Sequence, residues 1–109
     1  MSKITTHVLD TALGKPAAGI AVKLERKKSN NWSVVAHAET DRDGRCNNLA
    51  PDVLPGVYRL TFATGPYLSH EGRNTIYPEI AITFQCGSDA HYHLPLLLSD
   101  NSYTTYRGS

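Results

Sequence analysis

Seven or eight short runs of β-branched and aromatic residues, each closed by turn chemistry, dominate this chain, and only one stretch carries the punctuation of a helix. Strand-length runs at this spacing specify an all-β fold. Each half-buried strand needs an opposing apolar layer, so the expected architecture is a two-sheet β-sandwich. Ile4-Thr5-Thr6-His7-Val8-Leu9-Asp10 opens the fold as a strand. Side chains alternate across a strand, which puts Thr5, His7 and Leu9 on one face and Ile4, Thr6 and Val8 on the other. After the turn Gly14-Lys15-Pro16, Ile20, Val22 and Leu24 mark a half-buried strand. Trp32, Val34 and Ala36 are expected to share one face of the returning strand. Asp43-Gly44 predicts a tight turn from which Arg45 emerges on a short segment, and residues 51–56 read as a loop. Residues 57–62 and 77–85 are strands, the first with Tyr58, Leu60 and Phe62 on one face and the second with Ile80, Ile82 and Phe84 on one face. A single short helix is predicted over 67–72, between Pro66 and Gly72.

At 109 residues the chain makes one domain, residues 1–109, and buries roughly two-thirds of its unfolded surface. A formal net charge of +1, with 19% charged residues, gives no general attraction to nucleic acid or to an anionic membrane. Cys46 and Cys86 lack the spacing of a zinc ribbon or a redox motif, and they read as reduced thiols of a cytoplasmic protein. No basic-then-apolar secretory signal opens the chain. The longest apolar run, residues 94–98, contains Pro95 and is far too short to span a bilayer.

Chemistry concentrates near the end. His91 and His93 lie two apart in a predicted strand, so both imidazoles point to one face. The chain then stays rich in β-formers up to Tyr106-Arg107-Gly108-Ser109, where a solvated tail would be polar and frayed. The face with His91 and His93, like the face with His7, is not purely apolar and should look away from the core, toward solvent or a subunit interface. Taken together, His7, His93 and Arg45 suit hydrolysis of a cyclic amide or imide. A neutral imidazole accepts a proton from water near neutral pH, and an arginine holds a planar, carbonyl-rich substrate through paired donors. His91-x-His93 with a third histidine also suits a catalytic zinc site, although no acidic outer partner is evident beside them. His37 and His70 read as surface residues.

These residues resemble the transthyretin-related 5-hydroxyisourate hydrolases. The opening strand with Gly14-Lys15-Pro16-Ala17, the segment Thr40-Asp41-Arg42-Asp43-Gly44-Arg45, the run His91-Tyr92-His93-Leu94-Pro95-Leu96-Leu97-Leu98-Ser99 and the final Tyr106-Arg107-Gly108-Ser109 all carry the likeness. Asp100-Asn101-Ser102 stands where that family often has Pro and Gly. The resemblance implies a transthyretin-like sandwich with one short helix, assembled as a homotetramer, a dimer of dimers with clefts where the dimers meet. It implies hydrolysis of 5-hydroxyisourate in urate catabolism, with His7, Arg45 and His93 as catalytic residues. Tyr106, Arg107, Gly108 and Ser109 would line the site, with no metal or organic cofactor. Either His7 or His93 is the base on this reading. The rival is a carrier for an apolar aromatic ligand, as transthyretin is for thyroid hormone.

Overall fold

A computed structural model describes residues 1–109 as nine strands and one helix. In chain order these are β1 (Ser2–Asp10), β2 (Lys15–Pro16), β3 (Ala21–Lys28), β4 (Asn31–Glu39), β5 (Arg45–Val53), β6 (Gly56–Phe62), α1 (Thr64–His70), β7 (Ile80–Cys86), β8 (His91–Leu98) and β9 (Tyr103–Thr105). Two sheets form the expected sandwich. One runs β4-β3-β6-β7, antiparallel throughout. The other runs β2-β1-β8-β9, and β5 pairs β1 on the same side as β2. The strand beyond the expected seven or eight is β2, whose two residues are too few to leave an alternation in the sequence.

The core lies between the sheets. Ile4 and Val8 of β1 with Leu94, Leu96 and Leu98 of β8 meet Val22, Leu24, Tyr58, Leu60, Phe62, Ile80 and Ile82 from the other sheet. This is the alternation of the sequence realised as one apolar layer per sheet. The first and eighth strands pair in parallel over eight residues, from Lys3 opposite His91 to Asp10 opposite Leu98. The outward face of β1 therefore lies directly beside the outward face of β8.

Three segments depart from the pattern for identifiable reasons. Residues 45–53 form one long strand, not a short segment followed by a loop. Its pairing with β1 is irregular: Ile4 faces Ala50 and Thr6 faces Cys46, leaving three β5 residues opposite Thr5 alone. Such bulges erase the two-residue period by which a strand is recognised. In β4, Ala36 pairs Leu24 but Val34 pairs Glu25, so Val35 is an extra residue. That bulge turns Trp32 and Val34 to the outer face, away from Ala36, and Trp32 receives the Arg59 guanidinium 4.2 Å above its ring. Helix α1 begins at Thr64, before Pro66. A proline in the first helical turn loses no hydrogen bond, because those N–H groups have no partner within the helix.

The end of β1 is tied to both following connections. The Asp10 carboxylate, 1% exposed, accepts hydrogen bonds from Arg73 Nη1 (2.5 Å) and Tyr67 Oη (2.8 Å). Arg73 Nε also donates to Asp100 (2.8 Å), and the Ile76 N–H donates to Asn101 Oδ1 (2.8 Å). The turn between β8 and β9 is thereby fixed to the segment after α1. No helix is long and apolar enough to cross a membrane.

Candidate active site

Arg45 is placed by the turn before it. Asp41 Oδ1 accepts the Asp43 N–H (2.9 Å) and the Arg45 N–H (3.0 Å), and the Gly44 N–H returns to the Asp41 carbonyl (2.8 Å). Gly44 has φ +77°, and a Cβ there would stand 2.3 Å from the Val8 carbonyl oxygen, so only glycine fits. Its own carbonyl accepts the Val8 N–H at 2.7 Å, which presses the turn against β1. As a result Arg45 lies directly opposite His7, where side chains of paired residues share a face.

The other histidine reaches the same face through β8. His93 pairs Thr5, two residues before His7 on β1. The Thr5 hydroxyl lies 2.7 Å from His93 Nδ1 and 2.7 Å from His91 Nε2, and the two imidazole centroids are 6.0 Å apart. Sequence reasoning passed over Thr5. The signal was present, since strand alternation already put Thr5 on the His7 face, but the partner 88 residues away was not legible.

The C-terminal segment continues the β9 ladder along β8. Leu98 pairs Tyr103 and Leu96 pairs Thr105, and in the same register Gly108 bridges His93, its N–H donating to the His93 carbonyl at 2.7 Å. Pro95, which lacks an N–H, interrupts the ladder between. A Cβ on Gly108 would lie 2.7 Å from His93 Cδ2 and 3.2 Å from Pro95 Cγ. The tail thus packs directly on the imidazole. Tyr106 is exposed, as is Ser109. The Arg107 guanidinium points elsewhere: Nη2 donates to Asp89 (3.0 Å) and to the His91 carbonyl (3.1 Å), and the group lies 4.4 Å over the Tyr92 ring. The structure therefore brings His7, Arg45, His93 and Gly108 together, while Arg107 is held to one side by an exposed pair.

Electrostatics favour neutral imidazoles. Partial burial, and then the Arg45 charge, hold His7 below its ordinary 6.5, against an opposing pull from Asp43 and Asp41. Partial burial, followed by repulsion from His91, His7 and Arg45, lowers His93 as well. Both rings therefore carry a lone pair at neutral pH and can accept a proton.

The face bearing these groups is open. The two hollows of the chain lie elsewhere, one between α1 and residues 18–21 and one on the outer face of the β3-β4-β6 region, and neither is lined by His7, Arg45 or His93. No three His, Cys, Asp or Glu side chains converge as a metal-ligand set, and His91 and His93 share the Thr5 hydroxyl. Cys46 and Cys86 are buried and unpaired, and burial pushes each thiol up to about 11.

A family model described as HIUase/Transthyretin family matches residues 4–108. The chain is 45% identical over 109 residues to the 5-hydroxyisourate hydrolase of Salmonella dublin, covering 97% of this chain and 80% of that one. It superposes on the solved 5-hydroxyisourate hydrolase of Klebsiella pneumoniae with a TM-score of 0.91 at 34% identity, covering 100% of both chains. It superposes equally well on sea bream transthyretin in complex with thyroxine, with a TM-score of 0.93 at 32% identity, covering 97% and 94%.

Proposed function

The chain belongs to the HIUase/transthyretin family, and we propose that within it this protein hydrolyses 5-hydroxyisourate to 2-oxo-4-hydroxy-4-carboxy-5-ureidoimidazoline. Fold likeness does not choose between hydrolase and carrier, because both kinds of relative superpose on the chain at TM-scores above 0.9. The site chooses. The observation that carries the reading is the pairing across β1, His7 with Arg45 and Thr5 with His93, which gathers two neutral imidazoles and a guanidinium on one face. A pocket for an apolar aromatic ligand would be lined mainly by apolar groups, whereas this set suits a small polar heterocycle.

The product carries a new carboxyl and a ureido group, so the bond that breaks joins a ring carbonyl to nitrogen. Water attacks that carbonyl while one imidazole, His7 or His93, takes its proton. Arg45 orients the ring and stabilises the developing oxyanion, an interaction worth about 10² to 10³ in rate for a single donor. Tyr106, Gly108 and Ser109 form the wall beside His93. Arg107 reaches the substrate by leaving Asp89, at a cost of roughly 0 to 1 kcal/mol for an exposed pair. The mechanism uses no metal or organic cofactor.

The proposal includes a homotetramer, a dimer of dimers. Its support is the open face: a second copy laid across it would supply the walls that one chain lacks. It also includes a reducing, cytoplasmic setting, supported by the two buried thiols left unpaired. The test is the ultraviolet decay of freshly generated 5-hydroxyisourate, with sedimentation of the same sample. We expect accelerated decay, undiminished by exhaustive chelation, from a species near four times 12.0 kDa. Decay at the spontaneous rate would refute the function, and an active monomer would refute the shared cleft.

A further inference from the structure

His91 and Thr5 have no part in the mechanism above, yet they are arranged around His93. Thr5 is 3% exposed, and its only side-chain polar atom lies 2.7 Å from a ring nitrogen on each side. A hydroxyl has one proton to give. Between two neutral imidazoles it must donate to one nitrogen and accept from an N–H on the other. The two tautomers are therefore coupled, and only two orders are available. If His91 Nε2 carries the proton, His93 Nδ1 accepts and His93 Nε2 is protonated and useless as a base. If His93 Nδ1 carries it, Thr5 donates to His91 Nε2, and His93 Nε2 holds the free lone pair.

The rest of the ring is consistent with the second order. Nδ1 is taken by Thr5 and the Cδ2 edge is covered by Gly108, so the imidazole is gripped on both sides and only its Nε2–Cε1 edge is left. We infer that Thr5 is a positioning residue for the hydrolysis, fixing Nε2 of His93 as the basic nitrogen and linking His93 to the exposed His91 as a route for protons. This inference rests on the hydrolase reading and assigns the base within it.

Proton balance gives the link a task. Water contributes its oxygen to the carbonyl carbon, the C–N bond breaks, and the leaving nitrogen takes one of the two water protons. The new carboxyl group ionises at neutral pH, so the other proton goes to solvent in every turnover. When Nε2 of His93 accepts a proton, the Nδ1 proton passes to the Thr5 oxygen, the Thr5 proton passes to His91 Nε2, and His91, exposed, releases a proton from Nδ1 to water; when Nε2 of His93 then gives its proton to the leaving nitrogen, the chain runs in reverse, His91 Nδ1 takes a proton from water, and both rings return to their starting order. The charged and titratable neighbours are Lys3 and His7 on β1, Arg45 on β5, and Arg107 held to Asp89. Partial burial, and then the neighbouring His91, His7 and Arg45, disfavour a resting imidazolium at His93.

The test combines ¹⁵N NMR of the ring nitrogens, without substrate, with kinetics of Thr5→Val and Thr5→Ser. Valine keeps the shape and removes the hydroxyl, and serine restores it. In the wild type we expect His93 protonated at Nδ1 and His91 unprotonated at Nε2. Thr5→Val should lose that preference, and its kcat should fall 10- to 100-fold with KM within about twofold. Thr5→Ser should recover to within about fivefold, and the solvent isotope inventory should drop from several protons to one in the valine variant. His93 protonated at Nε2 in the wild type, or wild-type kcat in a folded Thr5→Val, would overturn the inference. If the wild type leaves 5-hydroxyisourate unaccelerated, the function fails instead, and the NMR still decides the order of the hydrogen bonds.

Discussion

Gly108→Ala tests whether the tail sets the geometry of His93. The added Cβ would stand 2.7 Å from His93 Cδ2, where carbon atoms rest comfortably at about 3.5 to 4.0 Å. Something must move by roughly 1 Å. If the ring moves, it breaks a 2.7 Å bond to Thr5 and its lone pair is misdirected. If the tail moves, it loses the bond from Gly108 to the His93 carbonyl, about 1 kcal/mol, and the wall of the site retreats. If His93 is the proposed base, a displacement of this size costs on the order of 10²-fold, or about 2.7 kcal/mol of transition-state stabilisation. The global fold loses little, because the β8–β9 pairs at Leu96, Leu97 and Leu98 are untouched. We therefore expect kcat/KM to fall 10- to 100-fold on 5-hydroxyisourate, while thermal unfolding shifts down by only a few degrees. Activity within twofold of wild type in a folded variant would refute the reasoning. Equal losses of activity and structure would show that the glycine serves the fold and not the site.

Three further outcomes are expected. Because burial and neighbouring cations hold His7 and His93 below 6.5, the neutral base persists into mild acid, so the acid limb of kcat/KM should have its midpoint below pH 6.5; a midpoint above it would exclude both as the base. Arg73→Met leaves the Asp10 carboxylate buried without its cation and should cost about 3 to 5 kcal/mol in denaturant unfolding; in the wild type, burial works to raise Asp10 but the Arg73 and Tyr67 hydrogen bonds outweigh it, so this contribution is full above pH 3.8 and is lost as pH falls through the lowered value. Truncation after Tyr106 removes Gly108 from His93 and Arg107 from reach, and should lower kcat/KM at least thirtyfold, about 2 kcal/mol, with assembly retained by sedimentation.

Much of the fold is legible in the sequence because most strands keep a two-residue period. Ile4 and Val8, Val22 and Leu24, Leu60 and Phe62 fall inside as alternation requires. Legibility ends where that period is broken. The extra residue Val35 reverses the face of Trp32 and Val34, and the bulges opposite Thr5 hide the length of β5. The candidate site divides the same way. That His91 and His93 share a face follows from spacing alone. That Thr5 bridges them, or that Arg45 faces His7, depends on pairing between distant strands, which no local pattern encodes. The family resemblance named Arg107 as a site residue but not its resting contacts with Asp89 and Tyr92, which depend on where the tail lies against β8.

The parallel pairing of β1 with β8 also bears on how the protein is made. Thr6 and Leu94, neighbours in the sheet, are 88 residues apart in sequence. At about 5 to 20 residues per second, β1 leaves the ribosome roughly 4 to 18 s before its partner exists. During that time β3, β4, β6 and β7, all antiparallel neighbours of one another, can form their sheet, and β5 can cover one side of β1. The other side of β1 waits as a bare edge of unpaired N–H and C=O groups, open to pairing with another nascent chain. His7 and Arg45 can meet early, whereas His93 and Gly108 arrive with the last strands. Each molecule therefore passes through a period in which most of it is folded but its chemistry is not yet assembled, and chaperone demand should be greatest there.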